Sequence, residues 1–242
     1  EYQQRLETQR DDLDLLNQVV RHDIRNDLQL VLTYAEILDD RVSAEEQAYV
    51  ETLLESTRNA IEVTTTAREM ADVMLRDEDP QQRVDLRQTL LGELDELRSA
   101  QSDADISVEG NVPAVTVLAN EMLDSVFRNL LQNAIQHNDK EVPEVTVSAT
   151  ADADVVTVEI ADNGPGVPDE EKETIFAKGE KGLDSTGTGL GLYLVRTLVE
   201  SYGGDIWVED RAASTDTASN QPQAGSNDPA GAVFVVELPR GE

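Results

Sequence analysis

Between residues 1 and 39 the chain has no Gly or Pro, and apolar residues recur at Leu13, Leu16, Val20, Ile24, Leu28, Val31, Ala35 and Leu38. Steps of three and four predict one long amphipathic helix. The polar stretch 39–43 ends it, and Ser43 followed by Glu46 reads as a capping box that opens a second helix. That helix carries Leu53, Thr57, Ala60, Thr64, Ala67, Ala71 and Met74 along one line. Most of these side chains are small, which suits close helix–helix approach. Two such helices joined by a tight turn make an antiparallel hairpin. One hairpin cannot bury both stripes, so a homodimer closing a four-helix bundle is expected.

The pattern changes after residue 77. The segment 78–84 is charged, polar and broken by Pro80, as a linker between domains would be. From 85 to 242 the pattern is mixed α and β. Helices are predicted over 86–99 and 120–137, the latter with Asn120 as N-cap, and a third ends near Tyr202. Strands are predicted over 106–109, 114–118, 144–148, 155–160, 205–209 and 232–238. The stretch 211–230 has no Leu, Ile, Val or aromatic residue and reads as a flexible insertion in a hairpin, with no assigned function. The fold class is therefore α+β: a hairpin domain over 1–77, then a domain of mixed α and β over 85–242.

Charge sharpens this picture. The 242 residues carry 19 Lys+Arg against 50 Asp+Glu, a formal net charge of −31. Such a density raises the question of disorder, but 63 of the 242 residues are Leu, Val, Ile or Phe, enough for a core. The field excludes free nucleic acid and anionic membrane surfaces as favourable partners. Only four of the cations are Lys (Lys140, Lys172, Lys178 and Lys181), and acid with little Lys is expected of a protein that stays hydrated in concentrated salt. An ordinary acidic protein with a basic partner is the alternative. The absence of Cys excludes disulfides and thiol chemistry, and with two His a zinc site is not expected.

Several short patterns carry candidate chemistry. His22 stands about 200° from both Val20 and Ile24 on a helix, so it points away from their seam. A histidine there is ordinarily a surface residue, but Asp23 beside it can take a proton from the imidazole, and Asn26 one turn later can orient a water. Asn129 and Asn133 share a polar face of the helix over 120–137. Two Asn inside a helix cost propensity, and carboxamide oxygens are suitable ligands for Mg²⁺. The run Asp162-Asn163-Gly164-Pro165-Gly166 follows a strand and taken singly is an ordinary turn. Gly187-Thr188-Gly189-Leu190-Gly191 opens a helix, where backbone N–H groups and the helix dipole favour phosphate. It lacks the ending of a P-loop and the setting of a dinucleotide fold.

Taken in this order, the patterns resemble the catalytic core of sensor histidine kinases of two-component systems, nearly end to end apart from 211–230. Residues 20–27 resemble the phosphoacceptor box and 129–138 the Asn box. Asp162 to Gly166 resembles the first glycine box, Ile175-Phe176 the Phe box, and Gly187 to Gly191 the second glycine box. The resemblance implies an α/β sandwich of the Bergerat type (GHKL) as ATP-binding domain, with ATP and Mg²⁺ as cofactors. It implies autophosphorylation of His22, with Asp23 as general base, and then transfer to an aspartate of a response regulator receiver domain. Asn26 would serve a phosphatase direction. Asn133 would hold the metal with Asn129 in support, Asp162 would bind the adenine amino group, and His137 would lie beside the nucleotide. Gly164 and Gly166 would allow close approach. Residues 167–188 would form a lid, and Gly187, Thr188, Gly189, Leu190 and Gly191 would form its hinge and phosphate cradle.

Two positions depart from the family pattern. Asp27 stands where a helix-kinking Pro is frequent, and Gln136 where a phosphate-facing Lys or Arg is frequent. The missing cation is expected from Lys178 or Lys181 in the lid. A phosphatase-dominant core, a nucleotide-binding scaffold without transfer, and a serine kinase or ATPase of the same superfamily are the competing readings. Leu6, Leu13 and Val20 at heptad spacing predict a helical lead-in from an upstream sensor domain or membrane segment. The expected location is cytoplasmic, as the cytoplasmic part of an anchored sensor or on its own.

Overall fold

The computed structural model describes residues 24, 26–38, 42–75, 81–177, 189–211 and 231–241. The chain divides into two compact units, Glu1–Arg76 and Asp77–Glu242.

In the first unit residues 26–38 are helical (α1), Asp27 included, and α2 spans Ala44–Leu75. Half of the expected capping box forms, because the Glu46 N–H bonds to the Ser43 carbonyl at 2.9 Å and not to the Ser43 hydroxyl. The Glu46 carboxylate accepts the Ser43 backbone N–H at 3.2 Å and its hydroxyl at 2.7 Å. These bonds hold the Glu46 carboxyl below its ordinary range, the hydroxyl bond most of all. On α1 only Ala35 is buried, whereas Ile24, Leu30, Val31, Tyr34, Ile37 and Leu38 keep 43–61% of their surface exposed. The seam predicted from 24 to 38 is thus largely uncovered in a single chain. On α2 the stripe starts one residue later than expected: Leu54 is buried and Leu53 exposed, with Thr57 buried one turn on.

The second unit opens with β1 (Gln82–Asp85), where the sequence pattern reads as the end of the linker over 78–84. β1 pairs antiparallel with β3 (Thr116–Ala119), and this remote partner makes four mostly exposed residues a strand. Between them lie α3 (Leu86–Ala100) and β2 (Asp105–Glu109). Asp85 caps α3, its carboxylate accepting the Gln88 N–H at 2.9 Å.

The chain continues through α4 (Leu123–Gln136), β4 (Glu144–Ala151), β5 (Val155–Asp162), α5 (Gly191–Ser201), β6 (Asp205–Asp210) and β7 (Ala232–Pro239). The main sheet has the order β2-β4-β5-β7-β6, with β2 parallel to β4 and the other pairs antiparallel. Period-two alternation gives it one apolar face: Val145, Val147, Val156, Val158, Ile160, Val236 and Leu238 are buried. The apolar sides of α3, α4 and α5 cover that face, with α4 in the middle and Phe127 and Leu130 fully enclosed. The unit is a two-layer α/β sandwich.

The expected N-cap of α4 is a correction. The helix starts at Leu123, and no side chain caps it. Asn120 instead accepts the Met122 N–H at 3.0 Å and the Tyr202 hydroxyl at 2.5 Å, tying the entry of α4 to the end of α5. No helix among the described residues is long and apolar enough to cross a membrane.

Candidate functional site

β5 ends on Asp162, whose side chain falls on the buried face of the sheet where the helix layer stops. Its Oδ1 accepts two backbone N–H groups, Gly164 at 2.8 Å and Ala232 at 3.2 Å. Among the described residues no protein donor reaches Oδ2. Burial is the largest influence on this group and pushes the carboxyl above its ordinary range. The two backbone bonds and the nearby Arg211 and His137 offset that only in part. A carboxylate held this way has one oxygen fixed and one available.

Asp162 lines a cavity of about 70 Å³ together with Asn133, His137, Gly166, Ala232 and Phe234. Asn133 is half-buried, and its carboxamide has no protein partner among the described residues. Asn129, one turn earlier on α4, donates its amide N–H to the Ser125 carbonyl at 2.7 Å, so its oxygen is the free end. That oxygen lies against Gly191, the first residue of α5. α5 itself starts without a side-chain cap. A helix start of this kind, with its dipole and N–H groups, suits an anion. Gly166 and Gly189 have φ of 76° and 65° at the two ends of the intervening segment. Of the two carboxamides Asn133 lines the cavity, and a carboxamide oxygen there fits a hard divalent cation that keeps most of its waters.

Most of the expected site residues thus come together: Asn129, Asn133, His137, Asp162, Gly164, Gly166, Gly189, Leu190 and Gly191 all lie at the junction of α4, β5 and α5. Asn26 is helical and exposed on α1, in the other unit. His22, Asp23, Lys178, Lys181, Gly187 and Thr188 lie outside the described residues, as does 212–230. Gln136, where a cation is frequent in the resembled family, is exposed at the end of α4.

Sequence reasoning missed the contribution of β7. Ala232 fixes Asp162 through its N–H, and Phe234 lines the cavity while packing edge-on against Phe176, ring centres 6.3 Å apart. The signal was Gly231: with φ of 132°, a Cβ there would lie 1.9 Å from the Asp162 carbonyl oxygen, so only Gly lets β7 start this close. Lys172 is also committed, to Asp169 at 2.6 Å and Asp210 at 2.8 Å, and these partners raise its pKa. It pins the segment after Gly166 to the end of β6.

A two-layer sandwich with a buried carboxylate, a polar helix face and an uncapped helix start around one cavity defines a nucleotide-binding class of ATPase. The sequence profile of the histidine kinase-, DNA gyrase B- and HSP90-like ATPases matches residues 119–242, and the chain belongs to that family. The sensor protein KdpD of Escherichia coli is 33% identical over 122 residues, covering 49% of this chain and 12% of KdpD. The chain spans less than a third of the length of such curated relatives, among them the sensory kinase SasA and the sensor histidine kinase AruS. The solved structure of full-length ShkA in complex with AMPPNP is similar, with a TM-score of 0.61 and 25% identity over 93% of this chain and 46% of ShkA. The histidine kinase ThkA, solved with the response regulator TrrA, shares the fold at a TM-score of 0.59 and 21% identity, over 99% of this chain and 66% of that one.

Proposed function

We propose that this chain is the kinase core of a two-component sensor, using ATP to phosphorylate His22 and passing the phosphoryl group to an aspartate of a response regulator. The observation that carries this reading is the pairing of Asp162 and Asn133 on one cavity: a buried carboxylate with one oxygen, and a carboxamide, that have no protein partner among the described residues. Oδ2 of Asp162 accepts the exocyclic amino group of adenine, while the rigid Oδ1 bonds keep the carboxylate from turning away. The N–H groups at the start of α5 bind phosphate oxygens. Asn133, with Asn129 in support, would hold Mg²⁺, which would supply positive charge against the phosphates. His137 lies beside the nucleotide.

The acceptor half of the site is His22, with Asp23 taking the imidazole proton as the nitrogen attacks the γ-phosphorus and ADP leaves. The exposed apolar residues of α1 support a homodimer: Leu30, Tyr34 and Ile37 follow helical spacing and are uncovered in one chain. The receiver partner is supported by ThkA, which has been solved with its response regulator. The test is incubation with γ-labelled ATP in molar KCl. Acid-labile, alkali-stable label on the wild type that disappears in His22→Gln is expected. Label that persists in His22→Gln overturns the assignment.

A further inference from the structure

Asn163 lies between Asp162 and Gly164 but does not line the cavity. Its Oδ1 accepts the Asn138 side-chain N–H at 2.8 Å and the Glu144 backbone N–H at 2.9 Å, and its Nδ2 donates to the Val142 carbonyl at 3.3 Å. Asn138 follows the end of α4 and is equally occupied. Its Oδ1 accepts the Lys140 N–H at 3.0 Å, and its Nδ2 also faces the Ala134 carbonyl at 3.4 Å. The backbones meet at the same place: a Cβ on Gly164 would lie 3.4 Å from the His137 carbonyl oxygen and 3.5 Å from the Asn138 Cα. Two segments 25 residues apart are therefore fastened together, one carrying Asp162 and the other carrying Asn133 and His137.

We infer that the Asn138–Asn163 pair is a positioning clasp that sets the end of α4 against the Asp162 turn, so that one nucleotide can meet both at once. Neither residue lines the cavity. The inference rests on the proposed roles of Asp162 toward adenine and Asn133 toward Mg²⁺. Both amides spend their donors and acceptors on each other and on the intervening loop. A pair with no partner beyond water would leave the loop, and hence α4, free to shift relative to β5. Because adenine recognition needs only the Asp162 side, the clasp matters most for the part of the affinity that depends on the metal.

The test measures binding of a non-hydrolysable ATP analogue to the full chain by calorimetry, in molar KCl, with Mg²⁺ and with EDTA. Wild type is compared with Asn138→Ala, Asn163→Ala, the double variant and Asn138→Ser, which retains an acceptor for Lys140 but cannot reach Asn163. Thermal unfolding of each variant reports folding. Wild type is expected to bind more tightly with Mg²⁺. Each variant is expected to lose about 10-fold of that gain, the scale on which loss of orienting partners weakens a metal site. Affinity in EDTA should change by less than about threefold, and the double variant should lose no more than the singles, as coupled residues do. A folded variant that keeps the full gain overturns the clasp, as does an equal loss with Mg²⁺ and with EDTA. A wild type that binds in EDTA with no gain from Mg²⁺ overturns the role given to Asn133 and the clasp with it.

Discussion

A Cβ placed on Gly191 would lie 2.8 Å from Oδ1 of Asn129, so α5 begins in contact with the polar face of α4. The Asn129 amide has little room to yield, because its Nδ2 is bonded to the Ser125 carbonyl at 2.7 Å. Gly191→Ala must push the start of α5 away or turn the amide and break that bond. In the empty protein the crowding, about 1 kcal/mol or more, is opposed by the roughly 1 kcal/mol that Ala gains over Gly in a helix. The melting temperature should therefore move little. Nucleotide affinity should fall about 10-fold, equivalent to about 1.4 kcal/mol, since the first N–H groups of α5 are displaced. Calorimetry beside a thermal melt separates the two effects. A large fall in melting temperature with unchanged affinity would count against a phosphate role for this helix start.

Asp162 gives a pH dependence with opposite signs in two measurements. Burial raises its carboxyl above the ordinary range, so the native protein holds this proton at a pH where the unfolded chain has released it. Its contribution to stability therefore rises as pH falls through the native pKa, and is absent well above it. The proposed adenine recognition needs the ionised form and should weaken over the same interval. Asp162→Asn separates these effects. Its amide oxygen can still accept from Gly164 and Ala232, while its NH₂ confronts the adenine amino group, donor against donor. The variant should melt at or above the wild-type temperature and lose about 100-fold in affinity, or about 2.7 kcal/mol. Affinity that survives the substitution would remove adenine from this carboxylate.

Phe176 is 3% exposed and meets Phe234 edge-on at 84°. It anchors the segment after Gly166, and Phe234 lines the cavity. Phe176→Ala should cost about 3 kcal/mol of stability through the lost ring and the void it leaves. It should also weaken nucleotide binding, since Phe234 loses its support. Phe176→Leu should retain most of both. Denaturant titration and calorimetry on the same samples check this, and unchanged affinity in a destabilised Phe176→Ala would show that the ring pair serves folding alone.

What the sequence disclosed depended on the range of the interactions involved. The strands of the main sheet and the amphipathic α4 were legible because alternation and helical period are local properties imposed by one buried face. The Ser43–Glu46 cap was legible for the same reason, since both partners lie within one turn. β1 was not legible: Gln82–Asp85 is a strand only because β3 runs beside it. Asn120 has the right chemistry for a cap but accepts from Tyr202, 82 positions away. The adjacent Leu53 and Leu54 fit a helical stripe almost equally well, and packing chose Leu54. At the site, the chemistry-bearing residues of α4, β5 and α5 were readable from their types and spacing. The support from β7, through Ala232 and Phe234, was not, because it depends on the register of β7 beside β5.

The surplus of acid has a specific structural expression. On the sheet face away from the helices, Asp205 of β6 stands directly opposite Glu237 of β7. Like charges in that relationship repel at the distance of a cross-strand pair, costing about 0.2–1 kcal/mol. The Debye length falls from about 10 Å at 0.1 M salt to about 3 Å at 1 M, so this repulsion, and that of a chain with a net charge of −31, fades in concentrated salt. The melting temperature should therefore rise steadily with KCl between 0.1 and 2 M (about 20-fold in concentration). Glu237→Gln should raise stability at low salt by about 0.5 kcal/mol and by much less at 2 M, because only the unscreened repulsion is removed. Thermal melts of the two proteins across the KCl series decide the matter. A melting temperature that is flat or falls with salt would mean that the acidic surface is not an adaptation to concentrated salt, and it would leave the nucleotide site untouched.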